Sequence, residues 1–374
     1  MFGLKKIVNI KHIIELFLMV FIYAVFDNVG GMKKYVIVSA LCILFFWLGR
    51  KKRWSPEILL CVSIPAIIYI TMGALSVLLS VNAQFTSFKV ILYWIMPLIF
   101  VGSMYVFYES HMEHIVDVQF LGSILGYAVF DAPYWQKIFR WESVYAFVFG
   151  IFAVYYVYNK KWKLFIIATL FLLFAEKRIA ILALIGSVIV MFFCWLFRHH
   201  KKLIYFLWGS ISVLICGYLY LICSGSMEKI CWAANINTNG RVEIYSRVAQ
   251  EFPITLFGNG LGFIEQMLEY WNVSVYSNLH NDLLKIFIEL GVVGFVIFLL
   301  SYGVMFAYGG RIAEKSKVSY LLCIIVYTMI LFATDNVSIY IIYLVPFYST
   351  LFAVLSSEKE ETTERRNGSD AEIG

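Results

Sequence analysis

The sequence predicts an all-α polytopic membrane protein of about twelve transmembrane helices with one large extracytoplasmic loop, and three observations predict it. Of the 374 residues 61% are hydrophobic and only 14% charged, with a mean hydropathy of +0.81, far from the balance of a soluble domain. Apolar runs of about 15 to 25 residues recur from end to end, each long enough to cross a hydrocarbon core of about 30 Å as a helix. Clusters of Lys and Arg fall on alternate connections, as the positive-inside tendency requires. The short alternating segments of a transmembrane barrel are absent from the sequence.

In chain order the expected spans are residues 12–27, 35–49, 58–80, 88–108, 115–131, 142–158, 163–176, 178–198, 203–223, 281–308, 318–335 and 337–356. With the N-terminus in the cytoplasm, four basic groups lie inside: Arg50-Lys51-Lys52-Arg53, Lys160-Lys161 with Lys163, Arg198 with Lys201 and Lys202, and Arg311 with Lys315 and Lys317. Both termini are then cytoplasmic in a multi-pass protein of the inner (cytoplasmic) membrane. Lys5, Lys6 and Lys11 lead into the first apolar stretch with no small-residue cleavage site, so the first helix is expected to stay as an anchor. Span 115–131 is the least regular, because Asp117 and Gln119 enter it early and Gly122 and Gly126 thin its packing; a re-entrant path is its alternative. The seventh span ends at Glu176-Lys177-Arg178, a hairpin expected to put three charges at the outer surface.

This divides the chain into a nine-span bundle (1–223), the large loop (224–280), a three-span bundle (281–356) and a polar, acidic-rich, disordered cytoplasmic tail (357–374). Within the loop, Asn239-Gly240 reads as a turn or cap. Residues 241–252 then carry Val242, Tyr245, Val248, Ala249 and Phe252 at helical spacing, an apolar face for the bilayer interface or the bundle. Gly258-Asn259-Gly260-Leu261-Gly262 reads as a flexible turn before a second short helix that runs to about Trp271. Five of the seven cysteines (Cys42, Cys61, Cys194, Cys216, Cys323) sit in apolar runs as small hydrophobes. Cys223 and Cys231 flank the loop and could pair if it is extracytoplasmic. The net charge of +6 reads as topology, and no nucleic-acid partner is expected.

Few residues can carry chemistry. Asp282, Lys285 and Glu289, at i, i+3 and i+7, share one face of the tenth span, where ionisable groups normally face a protein interior or a wet cavity. Their plainer reading is a Lys285–Glu289 salt bridge that orients the helix. His280 precedes that helix at the outer interface, where free backbone N–H groups and the positive dipole end suit an anion. On position alone a lone histidine is more often a surface or core residue than a catalyst. Arg241 and Arg247 in the loop, with Arg178 and Arg140 at other outer ends, set several guanidiniums on one side of the membrane. Guanidinium forks match phosphate oxygens, and a lipid pyrophosphate lies at that depth; singly, each also reads as a snorkelling anchor. The glycines at 258, 260 and 262 follow no strand of a βαβ unit, which excludes the dinucleotide reading. Asp-x-Asp, Gly-x-Ser-x-Gly, Walker and His-Glu-x-x-His motifs are absent from the sequence, and Cys and His do not cluster at metal-ligand spacing. An enzyme built on this chain is expected to need no metal or cofactor and to act on a substrate that already carries a good leaving group.

The order of these features resembles the O-antigen polymerase and ligase superfamily, which includes the Wzy-type polymerases of bacterial surface polysaccharides. The residues that carry the likeness are Glu176-Lys177-Arg178-Ile179-Ala180, Asn239-Gly240-Arg241-Val242-Glu243, Gly258-Asn259-Gly260-Leu261-Gly262 and His280-Asn281-Asp282-Leu283-Leu284, with Glu289-Leu290-Gly291 leading into Gly294. The resemblance implies a GT-C-like glycosyltransferase acting on oligosaccharide repeat units borne by undecaprenyl pyrophosphate. Its partners would be that lipid-linked oligosaccharide, the lipid bilayer, and flippase and chain-length regulator proteins. The family's loop arginine falls on Arg241 and its histidine on His280, and Arg178 matches the basic residue that opens the eighth span. Arg178, Arg241 and Arg247 would bind the pyrophosphate, and His280 would take the proton of the attacking hydroxyl. Asp282 would orient His280, with Lys285, Glu289 and Gly260 in support. The family's Asn-rich element before the sixth span is replaced by Asp131-Ala132-Pro133-Tyr134 and Arg140-Trp141-Glu142, so no acceptor-site residue maps there. Polymerase is the preferred reading. O-antigen ligase-type transfer and a transporter or flippase of lipid-linked sugars are its alternatives, the last of which would carry broken helices in paired halves.

Overall fold

A computed structural model describes residues 15–22, 33–51, 54–79, 88–131, 143–197, 200, 202–236, 238, 240–252, 254–270 and 279–357. The helices are α1 (Lys33–Gly49), α2 (Pro56–Leu79), α3 (Phe88–Tyr108), α4 (Met112–Gly126), α5 (Tyr145–Tyr158), α6 (Trp162–Phe174) and α7 (Arg178–Leu196). They continue with α8 (Leu203–Cys223), α9 (Ser226–Ala233), α10 (Arg241–Glu251), α11 (Phe263–Tyr270), α12 (Asp282–Ile312), α13 (Lys315–Phe332) and α14 (Ile341–Ser356). Each expected span coincides with helix, the first over residues 15–22 alone. The expected tail beyond Ser357, together with Arg140 and Asn239, lies outside the described residues.

Among the described residues six helices, α2, α3, α7, α8, α12 and α13, are long and apolar enough to cross a membrane, and α5, α6 and α14 are apolar but shorter. The described residues are thus all-helical, and their long apolar helices fit a multi-pass membrane protein. It forms two compact units, one of residues Met1–Ser55, Met96–Ile181 and Ile341–Gly374, the other of Pro56–Ile95 and Leu182–Tyr340.

In the first unit, α5 is apolar on every side and buried from Tyr145 to Tyr156, and α14 is buried along its whole length. Helices apolar all round belong inside a bundle. Their aromatic rings interlock: Phe147 meets Tyr343 edge-on at 6.5 Å and Tyr105 stacks on Phe352 at 5.0 Å. The irregular stretch 115–131 is a helix, α4, ending in a π turn over Tyr127–Asp131. The polar residues that made it doubtful are partnered, with Gln119 Nε2 donating to Ser349 Oγ at 2.9 Å and Asp117 pairing with Lys161 at 3.1 Å. The charged hairpin differs from expectation: Glu176 and Arg178 are exposed, but Lys177 is buried with its ammonium over the Phe147 ring, 4.7 Å from the centroid.

The second unit is organised around α12, against which α2 packs. Cys61 Sγ lies 3.5 Å from the Met305 carbonyl, and Tyr69 stacks on Trp94 at 4.4 Å with its edge to Phe298. From α8, Trp208 donates to the Leu299 carbonyl at 3.1 Å and sets its ring against Tyr302 and Phe306. The tenth span, expected to be continuous, is broken. Gly291 takes φ 71° and ψ −179°, which splits α12 into residues 282–290 and 292–312. At 1.5 Å per residue the second part reaches about 30 Å, enough to span the hydrocarbon core unaided.

Breaking a helix orphans N–H groups on one side and carbonyls on the other, a cost that must be met by other partners. Here the glycine-rich part of the loop supplies them. The carbonyls of Thr255 and Leu256 accept from Val292 and Val293, both at 3.0 Å. The carbonyls of Ile288 and Glu289 accept from the N–H of Asn259 (3.2 and 3.1 Å), from Gly260 N–H (3.0 Å, Glu289) and from Asn259 Nδ2 (3.0 Å, Ile288). The approach leaves no space for a side chain: a Cβ on Gly258 would stand 2.2 Å from the Glu289 carbonyl oxygen, and one on Gly291 2.2 Å from the Gly258 nitrogen. Both glycines also have φ above +70°, a region costly to residues with a Cβ.

Candidate functional site

The site is built from four segments of the second unit: the end of α8, the start of α10, residues 280–282, and the turn 333–338 that follows α13. Gly240, at φ 75°, opens α10 and fulfils the expected cap, so Arg241 stands in the first turn of that helix. The apolar face of α10, with Val242, Tyr245 and Val248 buried, rests on α8 and so on the bundle. Asn281 caps α12 by accepting the Leu284 N–H on its Oδ1 at 2.9 Å, which leaves His280 just outside the helix at φ 52°. A left-handed histidine is strained unless its neighbours hold it. The Tyr245 hydroxyl does so by donating to the His280 carbonyl. Burial pushes that phenol well above its ordinary range, so it stays protonated and remains a donor.

The turn 333–338 gathers the other contacts. Its Ala333 carbonyl accepts from the Tyr218 hydroxyl, which in turn accepts from Asn281 Nδ2 at 2.9 Å. The Thr334 carbonyl accepts from Arg241 Nη1 at 3.2 Å. Asp335, only 1% exposed, accepts the Asn336 N–H at 2.8 Å and sets Oδ1 3.5 Å from His280 Nδ1. The His280 side chain remains 31% exposed, so its other face is open to a ligand. Arg241 and His280 are thereby fixed to consecutive residues of one turn. A guanidinium and an imidazole held this way can meet an anion and a proton donor at the same place.

The charged face of α12 performs a different task from the expected one. Asp282 does not orient His280: it accepts from Ser338 N at 2.8 Å and Ser338 Oγ at 2.6 Å, and the carboxylate beside the histidine is Asp335. A side chain two positions along a helix points to another face, which is why the nearer residue fails. Lys285 pairs with Glu265 of α11 at 2.8 Å in place of Glu289. Glu289 caps α11, its Oε1 accepting from Gly262 N at 3.0 Å and its Oε2 facing the Tyr69 hydroxyl at 3.5 Å. The three residues thus fasten three segments, and Gly260 seats the loop on the helix backbone.

Arg247 lies on the exposed side of α10, paired with Glu251 at 2.9 Å. Arg178 opens α7 in the first unit and is exposed. Cys223 and Cys231 are free thiols. No group of three His, Cys, Asp or Glu placed to hold a metal occurs among the described residues. The sequence reading missed Asp335, Tyr218 and the role of Tyr245. The available signal was an ionisable residue at the outer end of the eleventh span, on the loop's side of the expected topology.

Residues 163–299 match the O-antigen ligase family. Over that stretch the match supports the likeness to the O-antigen polymerase and ligase superfamily. Members of the O-antigen ligase family are membrane enzymes that act on glycans. Among curated proteins the chain has no match. The O-antigen ligase stretch contains Arg178, Arg241, Arg247, His280, Asp282, Lys285 and Glu289, and it stops short of Asp335.

Proposed function

We propose that the protein is a glycosyltransferase that polymerises undecaprenyl-pyrophosphate-linked oligosaccharide repeat units into a capsular or O-antigen-type polysaccharide on the outer face of the cytoplasmic membrane. The observation that carries this reading is the convergence of Arg241, His280 and Asp335 at one turn, two of the three inside the O-antigen ligase match. A sugar hydroxyl of an incoming lipid-linked unit attacks the anomeric carbon of the growing chain. The new glycosidic C–O bond forms as the bond from that carbon to the pyrophosphate oxygen breaks. His280 takes the hydroxyl proton while Asp335 steadies the imidazolium. Arg241 meets the charge that develops on the departing undecaprenyl pyrophosphate. Arg178 and Arg247 are the further basic groups for the diphosphate. Asp282, Lys285, Glu289 and Gly260 act at a distance, by holding the segments that hold the site.

On this reading the scaffold is GT-C-like with twelve spans, both termini are cytoplasmic, and residues 224–280 face outward. A flippase delivers the substrate, chain-length regulators bound the product, and no metal takes part. Ligase-type transfer is the second reading, favoured by the family's own description; it breaks the same bond and differs only in the acceptor. Purified protein given a defined lipid-linked repeat unit distinguishes them. A ladder of longer lipid-linked products is the expected result, transfer to a different glycolipid alone selects the ligase, and no turnover of either kind sinks both. The orientation is tested by labelling an engineered cysteine in 224–280 with an impermeant reagent, expected to react in intact cells.

A further inference from the structure

Two parts of the large loop expose apolar side chains that no other described residue covers. Helix α9 follows the span α8 after a two-residue turn at Ser224 and Gly225, and carries Ile230 and Trp232, the latter 88% exposed. Some twenty residues on, Ile254 and Leu256 are also exposed, Leu256 by 63%. An exposed tryptophan beside exposed aliphatic residues is a poor surface for water and marks an interaction site. Continuity identifies the occupant. The backbone of Thr255 and Leu256 is hydrogen-bonded to Val292 and Val293, the first residues of the part of α12 long enough to span the membrane, and Val292, Val296 and Leu300 on that part are themselves exposed apolar residues. The outer turns of α8 are likewise exposed at Tyr220. Both patches therefore extend the lipid-facing surfaces of spans just where those spans end, the depth at which tryptophan and short amphipathic helices settle.

We infer that the large loop is itself a lipid-binding element, seated in the headgroup and upper acyl region of the bilayer by two footholds, Ile230 with Trp232 and Ile254 with Leu256. The polar side of α10, with Glu243, Arg247 and Gln250 exposed, faces away from the bundle and into water. The segment between the footholds, which includes Arg241, is thereby held at the level of lipid headgroups, whatever reaction the site performs.

The test uses full-length protein in phosphatidylethanolamine and phosphatidylglycerol vesicles that contain a headgroup-nitroxide lipid. An environment-sensitive fluorescent amino acid is encoded in place of Trp232, Leu256 or Gln250; all three side chains are on the surface, so the packing is unchanged. Quenching by the nitroxide lipid should be at least about threefold stronger at 232 and 256 than at 250, with quenching by iodide in the reverse order, as expected for groups about 5–10 Å into the interface. Quenching at either position no stronger than at 250 overturns the inference by placing that foothold in water. Protection from both the nitroxide lipid and iodide overturns it by showing that protein, a partner or a second copy, covers the patch.

Discussion

The two halves of α12 have opposite characters within one helix. Residues 282–290 carry Asp282, bonded to the turn 333–338, and Lys285 and Glu289, both bonded to α11, whereas residues 292–312 hold no charge before Arg311 and leave Val292, Val296, Leu300 and Val304 exposed. The break at Gly291 separates a half that assembles the site from a half that fits lipid. Charges fatal to the stability of a span are affordable in a short helix whose neighbours satisfy each one.

The largest expected effects come from the residues that the first half positions. His280→Ala and Arg241→Ala should each abolish long polymer, a loss of at least about 100-fold, with normal membrane insertion; normal chain-length distributions on gels in both variants would remove the catalytic assignment. Gly291→Ala attacks the division itself, forcing a Cβ onto the Gly258 backbone. It should cost about 3 kcal/mol or more and expose residues 254–262 to protease, and an unchanged digestion pattern would mean that the two halves do not depend on the interlock. Asp335→Asn keeps the shape of the turn but removes the charge beside His280. Turnover of a lipid-linked repeat unit should fall about 10- to 100-fold with substrate affinity little changed, and an unchanged rate would leave the histidine unassisted. Ser338→Ala strips the two hydrogen bonds to Asp282 down to one and should lower thermal stability by about 1–2 kcal/mol, measured as a shift in midpoint. Smallest of all, Arg247→Ala removes an exposed pair with Glu251 worth about 0.5 kcal/mol at most, so a larger loss of polymer in that variant would report its contact with the diphosphate.

Local information was legible and long-range pairing was not. Helices α3 and α8 begin and end where hydropathy puts them, and α10 follows its apolar spacing to within one residue. The break at Gly291 was hidden because glycine is common in membrane helices, and only the loop thirty residues earlier reveals what fills the gap. Lys285 has an acid four residues ahead in Glu289, the partner that local spacing favours, yet it pairs with Glu265. Helix α9 was overlooked, being a single short amphipathic stretch in a polar loop. Arg241 and His280 stood out through family likeness and residue type. Asp335 did not, because nothing local links it to a histidine 55 positions away.

The turn 333–338 has a consequence for how the protein is made. Residues up to 299 contain the matched arginine and histidine, but the Thr334 carbonyl and the Asp335 carboxylate that hold them emerge from the ribosome only after α13. A nascent chain halted before that helix would carry both side chains without their support. Assembly of the constellation must therefore wait until α13 and the turn that follows it have been made.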